Sequence, residues 1–281
     1  GANIIKIEPP SGGDQMRNRV LESQFSDIGM AAGFLAMNIG KRSLGLDIKS
    51  EKGKEILFAL IKKSDVILHN FRAGVVDRLG LDYDSVRAIN PSIVYTVISG
   101  FGAKGPRSAD PAYDGAVQAA AGMMANNGTA ESGPLRTGYM PVDLMTGMTA
   151  AYATTAALLR KQKTGKGQMV DVAMLDCAIT LGSANFSRSE VDDIPDMLIG
   201  NQSITSAPTA SSFPTAEGSI LTAAIMPNHV EAFFDEIGLK EMLNDPKFAT
   251  REARIENKEI VRDAMIEALK SDTAENWEKR L

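Results

Sequence analysis

The chain has 281 residues, 44% of them hydrophobic, with a formal net charge of −5 and a pI of about 5.3. That is enough apolar material for one large domain, or for one large and one small. Lys and Arg are scattered rather than massed, which argues against nucleic acid as a partner, and no apolar run reaches the ~20 residues of a membrane span.

The opening GANIIKIEPP lacks the basic start and apolar run of a signal peptide. Its NIIKIE (3–8) reads as a strand, followed by a second strand in RSLGLDI (42–48). In SEKGKEILFALIKKS (50–64), Ile56, Leu57, Leu60 and Ile61 fall at helical spacing behind Ser50 as a cap. DVILHN (65–70) is a short strand, a helix follows from about Gly74, and SIVYTVIS (92–99) is apolar enough to be buried on both faces. An Ala-rich helix is expected near 113–125 and a long one over 143–163. The latter is closed by Gly165, with Arg160, Lys161 and Lys163 in its last turn. QMVDVAM (168–174) is a strand and LDCAITLGSANF a buried helix. The Ser, Thr, Pro and Ala of 200–215 read as a linker, with SILTAAI (219–225) a strand and charged helices beyond. Strand–helix alternation of this kind predicts an α/β fold with a mainly parallel sheet and right-handed crossovers. A domain boundary is expected near 200–210. The chain starts without Met on a strand pattern and stops at AENWEKRL in an uncapped helical pattern, so it reads as a fragment cut at both ends.

Few stretches carry chemistry. GFGAKG (100–105) fits G-x-G-x-x-G after a strand, but Pro106 and RSADP follow where a dinucleotide site needs a helix to open. A loop whose backbone approaches another ligand stays open. His69 and His229 stand in different contexts and no ligand pair has metal spacing. No G-x-S-x-G elbow supports a serine hydrolase. The single cysteine, Cys177, excludes a disulfide within the chain and fits a reducing, cytoplasmic compartment. It lies in an apolar helix and reads as an inert thiol. GYMPVDLMTGMTAAYATTAALL (138–159) holds one charge, Asp143. Two readings coexist there. Asp143 is an N-cap, or it is an ionised carboxylate, its pKa lowered by the helix dipole, placed to attack an acyl carbon. On the second reading, position rather than basicity supplies the rate.

Several stretches, in order, resemble one family: IKIEPPSGGDQMR, NIGKRSLGLDIKSEKGKE, DVILHNFRAGVVDRLGLDY, INPSIVYTVISGFGAKGP, YDGAVQAAAG and PVDLMTGMTAAYATTAALLRKQKTGKGQMVDVAM. They are similar to the class III CoA-transferases, the CaiB/BaiF family that includes formyl-CoA and carnitine CoA-transferases. The resemblance implies a Rossmann-like large domain (1–200) that binds CoA, and a linker with part of a smaller α+β domain (201–281), in homodimers interlocked like linked rings. Asp143 matches the catalytic aspartate. Leu46 and Lys49 match positions beside the adenine and its phosphates. Asn70, Phe71 and Arg72 match the cofactor channel, Arg78 and Leu79 a further contact pair, and Tyr113 and Asp114 positions near the thioester and the catalytic aspartate. By charge, Lys49 and Arg78 suit phosphate; singly, each reads as a solvated surface charge.

The implied activity is CoA transfer between carboxylic acids, with acyl-CoA as substrate, no permanently bound cofactor and no metal. Two alternatives remain. Racemases or epimerases of 2-methylacyl-CoA esters place a His where this chain has Tyr113, and a phenol is a poor base at neutral pH. An inactive CoA-binding homologue is the other. Some relatives hold phosphate with an Arg where Pro9 stands and a Lys where Pro111 stands, leaving Lys104 or Arg107 to compensate. The shielding glycine-rich loop of formyl-CoA transferase has no counterpart after residue 200, which argues against formyl/oxalyl specificity. Met123, Met124, Met140, Met145 and Met148 read as core or as an apolar-tolerant pocket.

Overall fold

The computed structural model describes residues 1–17, 25–193 and 197–281. In chain order the elements are β1 (Ile5–Glu8), α1 (Ala32–Asn38), β2 (Arg42–Gly45), α2 (Glu51–Ile61), β3 (Val66–His69), α3 (Val75–Leu79), α4 (Tyr83–Ile89), β4 (Val94–Ser99) and α5 (Asp114–Ala120). A short hairpin, β5 (Gly128–Thr129) and β6 (Gly133–Pro134), precedes α6 (Pro141–Thr164), β7 (Gln168–Ala173), α7 (Met174–Leu181) and α8 (Ser183–Asp192). Then come β8 (Ser212–Pro214), β9 (Ser219–Leu221), α9 (Pro227–Glu236), α10 (Pro246–Ala249), α11 (Arg251–Glu256), α12 (Lys258–Leu269) and α13 (Ala274–Arg280). The chain divides into two compact units, Gly1–Val117 with Tyr139–Leu181, and Gln118–Gly138 with Gly182–Leu281. The expected single cut near 200 differs from this division, because Gln118–Gly138 packs with residues that follow Gly182. No helix among the described residues is long and apolar enough to cross a membrane.

The first unit is the α/β part. β1 pairs with β2, and β3–β4–β7 form a second sheet, all parallel. Between β3 and β7, β4 is buried at Val94, Tyr95, Thr96 and Val97, as a continuous apolar strand requires. Ile93, Tyr95 and Val97 pack with Leu57 and Ile61 of α2 and Val86 of α4. Val94 packs on the other face with Ala150 and Ala157 of α6, and Thr96 bonds Thr154 of α6 at 2.7 Å. Small residues let α6 approach the sheet closely. Ser50 caps α2 through the Gly53 amide at 3.1 Å, and Gly165 ends α6 with φ 70°. Gly167 then passes so near β4 that a Cβ there would stand 2.0 Å from the Ile93 carbonyl oxygen.

The second unit gathers Phe213, Val230, Phe233, Phe234, Val261, Met265, Leu269 and Trp277 around the antiparallel β8–β9 pair. The 200–215 stretch is not a free linker. Ala207, Thr209, Ala210 and Ser211 are buried. The Thr209 hydroxyl donates to the Ala224 carbonyl, and the Thr222 hydroxyl donates to the Thr209 carbonyl. Small hydroxyl residues read as linker by composition, yet they pack when each hydroxyl finds an acceptor.

Candidate functional site

The N-terminus of α6 is built from two chain segments. Pro141 supplies a pre-set φ and has no N–H to satisfy. The N-cap position falls on Met140, which makes no side-chain cap. Asp143 is therefore not the N-cap that the sequence allowed; it stands in the first turn. The free amides are taken instead by Asp114, the first residue of α5. Its Oδ2 accepts the Val142 N–H at 2.9 Å and the Asp143 N–H at 3.0 Å. Asp114 is 7% exposed and Val142 fully buried, so the Val142 bond is shielded from water and the Asp143 bond partly so. Thr146 closes the same turn from inside, donating to the Val142 carbonyl at 2.6 Å.

This arrangement sets the electrostatics. Desolvation, and then the Asp114 charge, push the Asp143 carboxyl above its ordinary value. The expected lowering by the helix dipole does not occur. Asp114 already answers the positive end of α6, so its charge acts on Asp143 as a like neighbour. A carboxylate made more basic this way is a stronger nucleophile once ionised, and basicity adds to position instead of opposing it.

The residues carried over as CoA contacts all lie in the first compact unit. Leu46 and Lys49 follow the C-terminal end of β2, Asn70, Phe71 and Arg72 follow β3, and Tyr113 and Asp114 close the long loop after β4. The C-terminal ends of parallel strands are where ligands bind in open α/β sheets. Lys49, Asn70, Phe71, Arg72 and Arg78 are exposed, and Tyr113 is 73% exposed. Leu46 and Leu79 pack instead with the core around Leu57 and Val86. Of the two candidates to compensate for Pro9 and Pro111, Arg107 is engaged within its own loop. It pairs with Asp110 at 2.9 Å and lies 3.8 Å over the Phe101 ring. Lys104 is exposed. GFGAKG is loop, and α5 begins only at Asp114. Met140 and Met148 are exposed, Met145 packs against the α6 core, and Met123 and Met124 belong to the other unit. Among the described residues no cluster of His, Cys, Asp or Glu is arranged to hold a metal ion.

Two features escaped the sequence reading. The capping role of Asp114 is one: 29 residues separate it from the amide it caps, a contact no local pattern encodes. The other is Glu8 at the end of β1, 4% exposed. It takes Arg17 Nε at 2.7 Å, the Ser43 hydroxyl at 2.7 Å and the Asp14 amide at 2.9 Å. These bonds, led by Arg17, hold its carboxyl down at about 2. They fix the PPSGGD turn that follows β1.

Comparison with known proteins identifies the family and the fold. The family model for CoA-transferase family III matches residues 1–281. The succinate–glutarate CoA-transferase of Agrobacterium fabrum is 32% identical over 100% of this chain and 69% of its own length. A formyl-CoA:oxalate CoA-transferase of Streptomyces avermitilis is 35% identical over 91% of this chain and 65% of its own. The chain thus spans about two thirds of the length of these relatives. Among solved structures, a CaiB/BaiF family protein from Brucella suis superimposes with a TM-score of 0.84 at 30% identity, covering 96% of this chain and 71% of that one. Rv3272 from Mycobacterium tuberculosis gives 0.84 at 31% identity, covering 99% and 73%. With the whole chain matched and the fold shared, the protein belongs to CoA-transferase family III.

Proposed function

We propose that the protein transfers CoA between carboxylic acids, with Asp143 as the nucleophile. The observation that carries this reading is geometric: Asp143 stands exposed in the first turn of α6, where Asp114 and not Asp143 takes the Val142 and Asp143 amides. An Asp143 oxygen attacks the thioester carbon of a donor acyl-CoA; the C–S bond breaks, giving a mixed anhydride and CoA thiolate. The thiolate attacks the aspartyl carbon of that anhydride and the donor leaves as a carboxylate, so CoA is held as an aspartyl thioester. An acceptor carboxylate reverses the sequence and leaves as its CoA ester. An anhydride and a thioester are both reactive enough to pass CoA on. A serine ester would be too stable, which explains a carboxylate nucleophile.

The two CoA-transferases named above are named for succinate and glutarate and for formyl-CoA and oxalate, and small acids of that type suit this chain. Lys49, Asn70, Phe71, Arg72, Arg78 and Tyr113 are assigned to CoA, with Leu46 and Leu79 shaping the core beneath them. The racemase reading has less support, since the His it needs is replaced by Tyr113. The protein is assigned an interlocked homodimer. Met140 at the N-cap and Leu144, Met148 and Tyr152 on α6 leave an exposed apolar row that a second copy would cover.

The test is a trap. The full-length protein is incubated with succinyl-CoA and a panel of other acyl-CoAs, quenched with hydroxylamine, and the peptide holding Asp143 is weighed. A hydroxamate at Asp143 that depends on thioester supports the reading and names the donor. No adduct with any thioester, together with exchange of the substrate α-proton into deuterated solvent, would sink it in favour of the racemase. Asp143→Ala that binds CoA but does not turn over separates an enzyme from a CoA-binding homologue.

A further inference from the structure

His69 ends β3 directly before Asn70, Phe71 and Arg72, and its ring makes two bonds at once. Nε2 lies 2.8 Å from the Tyr95 hydroxyl, and Nδ1 accepts the Phe71 N–H at 3.2 Å. The Tyr95 hydroxyl in turn donates to the Leu81 carbonyl at 2.6 Å. A carbonyl offers no proton, so the phenol proton must lie on that bond. The phenol oxygen then accepts, and Nε2 must carry a hydrogen. Nδ1 is left bare, which is what the Phe71 amide needs. One tautomer satisfies all three bonds. The Phe71 ring lies stacked 5.6 Å from the imidazole and packs it against the loop.

We propose that His69 is a positioning residue for CoA binding: its neutral Nε2–H tautomer anchors the Phe71 backbone, and protonation at Nδ1 releases it. The proposal rests on the assignment of Asn70, Phe71 and Arg72 to CoA. A protonated ring has donors at both nitrogens, and the Phe71 N–H then faces another N–H. That bond cannot persist, and the three-residue stretch loses its fixed entry from β3. Burial opposes protonation of the ring, so the anchor holds at neutral pH and is released in acid. Tyr95 from β4 faces the ring, and Arg72 stands in the loop that follows it. Around the phenol stand Tyr83, edge-on at 5.6 Å, and Asp82 and Asp77. Burial first, then those two carboxylates, push Tyr95 up to about 12, so it stays a phenol and keeps the tautomer fixed throughout.

The experiment measures the Kd of coenzyme A by calorimetry on the full-length protein between about pH 5.5 and 8. Wild type is compared with His69→Ala, His69→Asn and Arg72→Ala, with thermal melting as the control for folding. In His69→Asn the introduced amide oxygen accepts the same i+2 N–H as an Asx turn but does not titrate. Wild type is expected to weaken on acidification more than His69→Asn, and the difference isolates the ring from the titration of CoA itself. His69→Ala is expected to raise Kd about tenfold at neutral pH, the worth of one anchoring hydrogen bond, and His69→Asn to restore it within about twofold. In turnover, the loss falls on KM and not on kcat. Wild-type affinity in His69→Ala, with Arg72→Ala weakened, overturns the anchor while the CoA assignment stands. Wild-type affinity in both overturns the assignment and the anchor with it. A folded His69→Asn that fails to restore binding, or that follows the wild-type pH course, also overturns it.

Discussion

Asp114 is the residue whose removal tests the site most directly, because it caps α6 and raises Asp143 with the same carboxylate. In Asp114→Ala the buried Val142 N–H loses its acceptor, a cost of about 1–3 kcal/mol. The Asp143 N–H is nearer water and loses about 0.5–2 kcal/mol of capping. Together the variant should lose about 1.5–5 kcal/mol in urea unfolding. Asp114→Asn keeps an acceptor oxygen but drops the charge at the helix start, a loss nearer ~1 kcal/mol. The two variants part in their effect on Asp143. In the Asn variant the like charge is gone and only desolvation still raises the carboxyl. The acid limb of the pH–rate profile for the acyl-transfer step should therefore move to lower pH. Both readouts are available from one preparation of each protein. An Asn variant whose acid limb stays in place or moves to higher pH would refute the electrostatic account. An Ala variant within about 0.5 kcal/mol of wild type, on the scale of an ordinary surface change, would refute the capping account.

Three further outcomes follow from the same structure. The Glu8 carboxyl is depressed from 4.5 to about 2, so it stabilises the fold above about pH 4.5 and loses that contribution as pH falls toward 2. Its ceiling is about 3 kcal/mol, and in Glu8→Gln the acid limb of stability should flatten; parallel acid limbs in the two proteins would contradict this. Asp143, raised in the fold, carries the opposite sign: its stabilising contribution is present below its unfolded pKa and is lost as pH rises through the folded one. Asp143→Asn should accordingly melt higher than wild type near neutral pH while losing turnover, and a lower melting temperature there counts against the raised carboxyl. Gly167→Ala must push its Cβ away from the Ile93 carbonyl, found 2.0 Å from the ideal position. Backbone has to move, so about 3 kcal/mol is expected from denaturant titration; a near-neutral variant would mean the α6–β7 turn is looser than the structure has it.

Much of the first unit was legible because its signals are local. The Ser50 cap, the apolar run of β4 and the glycine that ends α6 each act within a few residues, and each stands where the sequence puts it. The family resemblance was legible for the same reason, as contiguous stretches. What escaped was set by contacts across long separations. The 200–215 stretch has the composition of a linker, and only the Thr209 and Thr222 hydroxyls finding distant carbonyls make it a packed segment. Asp143 looked like a cap with a lowered pKa because a carboxylate at a helix start ordinarily is one. Asp114, 29 residues earlier, takes the amides and turns the sign. Sequence alone determined the family resemblance and most of the elements of the first unit, since propensity and motif are properties of neighbours along the chain. Tertiary structure decided the protonation behaviour of Asp143, since charge and desolvation depend on distance through space.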